Sequence, residues 1–147
     1  MNMTFRALTV RQPYADAITH GTKRCENRSR PIPRAAVGTT ILIHAAQQTH
    51  ASGVTAAHLG GHTWPGTRGA VLATAVLDFC HQATDGCCGP WGFPGYRHWI
   101  LRDVTPLPRP VPARGALGLW TPPVDVLTAV QEQLKALGKP AATGASR

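Results

Sequence analysis

Residues 9–31 read TVRQPYADAITHGTKRCENRSRP, and the order of residue types within them decides how this chain folds. Upstream and into this stretch, residues 4–10 alternate apolar and polar side chains around Phe5, Ala7 and Leu8, the period of two of a half-buried strand. Arg11-Gln12-Pro13 breaks the alternation, and Pro13 suits the first position of a helix, where its missing N–H would have no partner anyway. Tyr14, Ala17 and Ile18 then share one helical face, and Gly21 is expected to end the helix in the left-handed conformation. Residues 22–28 leave as a second strand. Arg11, Gln12, Lys23, Glu26, Asn27 and Arg28 gather at these junctions, where binding and catalytic groups usually sit.

Outward from this segment, residues 29–38 carry Pro31, Pro33 and Gly38 and form a connection. Residues 39–45 (TTILIHA) are a β-branched run of the kind found in a central strand, with His44 near its end. Residues 46–67 permit a short helix but are broken by Gly53, Gly60, Gly61 and Pro65. Three further apolar runs at 69–79, 96–104 and 111–120 read as strands, separated by CCGPWGFPG and PLPRP. Asp125 starts a helix reaching Leu137, with Leu127, Val130, Leu134 and Leu137 in one stripe and Gly138 as its stop.

The chain has 147 residues, of which 43% are hydrophobic, enough for one core and one domain. We assign that domain to residues 1–138 and expect residues 139–147 to be a disordered tail. With 13 Pro and 15 Gly against 15% charged residues, the composition argues against a helical bundle. No stretch approaches the ~20 apolar residues of a membrane span, and the first residues lack the apolar core of a secretory signal. A cytoplasmic protein with reduced thiols at Cys25, Cys80, Cys87 and Cys88 is the expectation.

The formal charge is +8, and most of the cations are Arg, whose planar guanidinium grips phosphate with two hydrogen bonds. Residues 1–34 hold Arg6, Arg11, Lys23, Arg24, Arg28, Arg30 and Arg34 against Asp16 and Glu26. Residues 35–67 hold no Lys, Arg, Asp or Glu, and Arg97, Arg102, Arg109 and Arg114 follow further on. Two basic segments that converge on one face would suit a polyanion.

Thr9-Val10-Arg11-Gln12-Pro13-Tyr14-Ala15, then Gly21-Thr22-Lys23 with Glu26-Asn27-Arg28, then Gly38 and Ile41-Leu42-Ile43-His44-Ala45, resemble the ASCH domain of the PUA-like group. The resemblance covers about residues 5–122. It implies an α+β fold, a small PUA-like β-barrel with flanking short helices, and a cleft lined by Lys23 and Glu26 in a family assigned to RNA binding. Amidohydrolase-type members use the motif Lys, a hydroxyl residue three positions later and a distant Glu. Here Lys23 matches, but Glu26 occupies the hydroxyl position, which counts against deacetylation of a modified cytidine.

Binding asks less of the residues. Arg11, Arg28 and Arg114 are candidates for phosphate contacts, Gln12 and Asn27 for a base edge, and Tyr14 or Trp91 for stacking. Trp91, flanked by Gly and Pro, is the better stacking candidate, and Tyr14 reads more simply as core. Lys23, Glu26 and His44 would have to supply base, acid and charge stabilisation in a ribonuclease. His44 reads more simply as a strand-end imidazole bonded to backbone.

The expectation is therefore a module that binds single-stranded RNA or a modified nucleoside, with hydrolysis at Lys23 and Glu26 as the alternative. A protein-interaction module using the stripe from Leu127 to Leu137 ranks third. No cofactor is expected. Cys80, His81, Cys87, Cys88 and His98 have the chemistry of zinc ligands, but no Cys-x-x-Cys pair exists and adjacent Cys87 and Cys88 rarely reach one ion, so no metal is expected either. Cys25 reads as strand packing.

Overall fold

The computed structural model describes residues 5–49, 63–84 and 87–139. Strand β1 (Arg6–Gln12) leads into helix α1 (Tyr14–Thr19) and strand β2 (Cys25–Arg28). The long strands β3 (Thr40–Thr49), β4 (Ala70–Gln82) and β5 (Arg97–Pro112) follow, then the short β6 (Leu119–Trp120) and helix α2 (Val124–Ala136). Single 3₁₀ turns occur at Arg34–Ala36 and Gly89–Trp91.

The strands form one mixed sheet in the order β2-β5-β4-β3-β1-β6. Among the described residues only β1 and β3 run parallel, Leu8 lying opposite Ile43, because the segment between them crosses over through α1 and β2. The period of two in β1 and β3 sorts the core onto two faces. Leu8, Val10, Ile41 and Ile43 pack with Ala15 and Ile18 of α1, while Phe5, Ala7 and Leu42 pack with Val126, Val130 and Leu134 of α2.

Several expectations are corrected here. The sheet does not close into a barrel: among the described residues its edges are β2, which pairs only with four residues at the start of β5, and β6, which pairs only with Ala7 and Leu8. Edges of four and two residues pair inward and do not meet. The break expected at PLPRP is absent, because the run at 96–104 continues through it to Pro112 as β5, and only the end of the run at 111–120 forms a strand of its own, β6. Prolines are tolerated there because β2 ends its pairing at Ile100, so the far half of β5 has an open side that needs no N–H donor.

Gln133 of α2 covers part of that open side. Its amide donates to the Arg109 carbonyl and accepts from the Arg109 N–H, mimicking a neighbouring strand. The buried face of α2 is accordingly Val126, Val130, Gln133 and Leu134, whereas Leu137 of the expected stripe is exposed. Gly21 is also not left-handed. The turn after α1 needs glycine because a Cβ there would stand 2.8 Å from the Ala17 carbonyl oxygen and 3.0 Å from the Trp64 ring. The helix expected in 46–67 is replaced by β3 as far as Thr49, and residues 50–62 lie outside the described residues, as does the tail beyond 139. No helix among the described residues is long and apolar enough to cross a membrane.

Candidate functional site

A cavity of about 280 Å³ opens where β1, α1 and β2 meet the connection before β5. Its walls include Thr9, Arg11, Tyr14, Lys23, Glu26 and Arg28 from the opening segment, with Phe93 and Tyr96 opposite. Charged side chains are brought together here because β2 pairs with β5 in a register that places Glu26 across from Trp99 and Arg28 across from Arg97.

Lys23 is 1% exposed and is the largest buried charged side chain among the described residues. Its Nζ donates to the Cys25 carbonyl, lies 3.9 Å from Glu26 Oε1, and sits 5.3 Å and 5.9 Å from the centres of the Tyr14 and Trp91 rings. Burial pushes the ammonium below the usual lysine range, and the neighbouring Glu26 opposes that shift. Glu26 is held more tightly by Arg28, whose Nε and Nη2 approach Oε2 to 2.9 Å and 2.8 Å. The Arg28 Nη2 also donates to the Thr9 carbonyl, which ties β2 to β1 across the pocket. Burial, then the Glu26 charge, raises the Tyr14 phenol above its ordinary value.

A wider groove of about 1120 Å³ continues from the cavity and shares Thr9, Arg11 and Arg28 with it. Its far side is formed by Gln47, Gln48 and the segment 112–118 with Arg114. Arg11 and Arg114 are exposed and have no carboxylate partner among the described residues. Under this groove His44 is 1% exposed, with Nε2 donating to the Ala113 carbonyl at 2.7 Å. That bond leaves Nδ1 as the acceptor for the Thr9 hydroxyl at 3.2 Å, and Trp120 Nε1 donates to the same oxygen. Burial lowers the His44 imidazole below its ordinary value.

The structure thus gathers Arg11, Tyr14, Lys23, Glu26, Asn27 and Arg28 at one cavity and Arg114 on the adjoining groove. Others of the expected ligand-reading set have their polar atoms engaged within the protein. Gln12 is buried, accepting from the Asp16 N–H and donating to the Thr67 carbonyl, so its amide braces α1. Asn27 spends its amide on the Trp91 carbonyl and the Phe93 N–H, which fixes the connection above it. His44 has both ring nitrogens committed inside the protein. Trp91 is buried and lies against Lys23, so it is a floor for the lysine and not an open stacking platform. Tyr14 is half-buried, packing against the core as expected and also lining the cavity.

Phe93, Tyr96 and Thr9 escaped the sequence reading. The aromatics stand in GFPGY, whose glycines and proline signal a loop but say nothing of which strand it covers. The pairing of β2 with β5 supplies that information. Cys25 is buried among Ala17 and Trp91, and burial pushes its thiol up to about 12, which makes it a packing residue in this structure. The reason given against shared ligation by Cys87 and Cys88 is also corrected. Cys88 has φ 61°, and this left-handed residue turns both sulfurs toward His98 Nδ1, at 3.1 Å and 3.4 Å.

Comparison with known proteins bears on this architecture. An ASCH-protein crystal structure from Zymomonas mobilis superposes with a TM-score of 0.51 at 20% identity, covering 86% of this chain and 78% of that one. A single-residue variant of that protein gives a TM-score of 0.50 at 20% identity, covering 86% and 81%. At this identity the likeness concerns the fold alone. None of the curated proteins compared with the chain matches it. The family model described as "ASCH domain" matches residues 8–108, which include the whole of the opening segment and both walls of the cavity. The chain belongs to the ASCH domain family.

Proposed function

We propose that this protein binds single-stranded RNA or a modified nucleoside, with one base in the Lys23 cavity and neighbouring phosphates along the groove over Arg11, Arg28 and Arg114. The observation that carries the reading is the continuity of a base-sized, aromatic-walled cavity with an arginine-lined groove through the shared residues Thr9, Arg11 and Arg28. Lys23 and Glu26 offer a donor and an acceptor 3.9 Å apart at the cavity wall, the two polar types that a base edge pairs with. Tyr14, Phe93 and Tyr96 supply stacking surface, and exposed arginines supply the phosphate contacts.

Titration of a short single-stranded RNA and of free and modified nucleosides tests it, with intact ligand and any product identified by mass spectrometry. Tyr96→Ala is expected to weaken RNA binding by about 1–3 kcal/mol, the worth of one stacked base. Equal affinity in wild type, Tyr96→Ala and Arg114→Ala would sink the proposal.

Hydrolysis is the second reading, favoured by Thr9, a residue that lines both the cavity and the groove and whose hydroxyl is bonded to His44 Nδ1. A hydroxyl beside a neutral, oriented imidazole is the pairing that activates a nucleophile. Product that forms with wild type and disappears in Thr9→Val supports this reading; intact RNA and intact nucleosides after long incubation exclude it.

A further inference from the structure

Outside the Lys23 cavity, four side chains from three parts of the chain converge: His81 near the end of β4, Cys87 and Cys88 from the connection, and His98 at the start of β5. Their ligand atoms all lie within 4.8 Å of one another. Cys87 Sγ stands 3.1 Å from His98 Nδ1, Cys88 Sγ 3.4 Å from the same nitrogen, and Cys88 Sγ 3.6 Å from His81 Nε2. Tetrahedral zinc, with Zn–S of about 2.3 Å and Zn–N of about 2.0 Å, separates its ligand atoms by roughly 3.3–3.8 Å. The three contacts fall close to those edges.

The surroundings prepare the same atoms. His98 Nε2 donates to the Phe93 carbonyl at 2.9 Å, and His81 Nδ1 donates to the Gln82 carbonyl at 2.8 Å. Because a carbonyl only accepts, each imidazole carries its proton away from the cluster and turns a bare nitrogen toward the sulfurs. This is the outer-sphere arrangement that orients a metal-binding histidine. The Thr84 N–H points at Cys87 Sγ from 3.3 Å. Gly92 closes the loop against the cluster, where a Cβ would fall 2.7 Å from the Cys87 carbonyl oxygen and 2.8 Å from His98 Cε1. A cavity of about 330 Å³ lined by Thr84, Cys87, Gly92 and His98 gives an ion its route in.

We propose that His81, Cys87, Cys88 and His98 form a structural zinc site that pins the connection 87–96 to the ends of β4 and β5. Four protein ligands complete the tetrahedron and leave no open position for water, so the ion holds structure and does no chemistry. What it holds is one wall of the Lys23 cavity, because the same connection carries Trp91 onto Lys23 and places Phe93 and Tyr96 at the rim. Cys80 stays out, since the next residue along a strand points to the other face. The site stands whether or not the cavity binds RNA.

Metal analysis of the chain purified without chelator, and cobalt titration of the chelator-stripped chain, test this directly. About one zinc per chain is expected. Cobalt should give thiolate charge-transfer bands with the intense visible bands of a tetrahedral ion. Cys88→Ser and His81→Ala should each weaken metal binding by more than about tenfold, the least that loss of even an outer-sphere partner costs. Cys80→Ser should bind as wild type does. In the zinc-loaded chain two thiols should react with a thiol reagent only after chelation, and chelation should expose the connection 87–96 to protease. Wild-type protein that takes up neither metal, or variants that keep wild-type affinity, would each overturn the assignment. Should the variants fail to fold, the cobalt spectrum and thiol counts of wild type decide alone.

Discussion

At the scale of single residues, the main tension is a lysine buried beside a carboxylate that prefers another partner. Glu26 is paired to Arg28 at 2.8 Å and to Lys23 only at 3.9 Å, so removing the Lys23 charge leaves no carboxylate uncompensated. Desolvating the ammonium opposes folding at neutral pH. Lys23→Met is therefore expected to hold stability level or raise it by about 1 kcal/mol while abolishing nucleoside binding, as read by denaturant unfolding and titration. A loss above about 2 kcal/mol would instead make Lys23 a structural prop. His44 gives a second test. Its folded value lies below the ordinary 6.5, so protonation favours the unfolded chain; its contribution is complete above that pH and is lost as pH falls through the folded value. The stability difference between wild type and His44→Gln should shrink on acidification below about pH 6.5, and a difference constant with pH would contradict the burial argument.

At the scale of elements, α2 acts as a cover for a sheet edge as much as an apolar plug. Gln133→Ala removes both hydrogen bonds to Arg109 and is expected to cost about 1–3 kcal/mol, whereas Leu137→Ser, on the solvent side, should cost under about 0.5 kcal/mol. Chemical denaturation of the two variants checks the ordering, and equal effects would mean that the helix packs through the other face. The 3.6-residue period made α2 legible in the sequence, but the stripe chosen there contained only leucine and valine. A buried glutamine lies on the true contact face because an unpaired strand edge needs polar partners, and no periodicity of apolar residues reports that.

For the whole molecule, the charge distribution sets how any polyanion is held. The basic N-terminal segment and the later Arg114 do meet across one groove, although they stand far apart in sequence. Engagement of Arg11, Arg28 and Arg114 predicts that log affinity for single-stranded RNA falls against log salt with a slope of about −2, and that Arg114→Ala brings it nearer to zero by about 0.7. Binding indifferent to salt would exclude the groove as a phosphate path.

The sequence by itself determined the family and the order of strand, helix and strand in the opening segment that carries Lys23, Glu26 and Arg28. These follow from local period, turn residues and a short motif, all of which act over a few residues of chain. Tertiary structure alone decided that the sheet stays open, that Trp91 supports Lys23 while Phe93 and Tyr96 line the cavity, and that Cys87 and Cys88 both face His98. Each of these depends on strand register across residues far apart in the chain, or on a single left-handed residue, and neither leaves a periodic trace in the sequence.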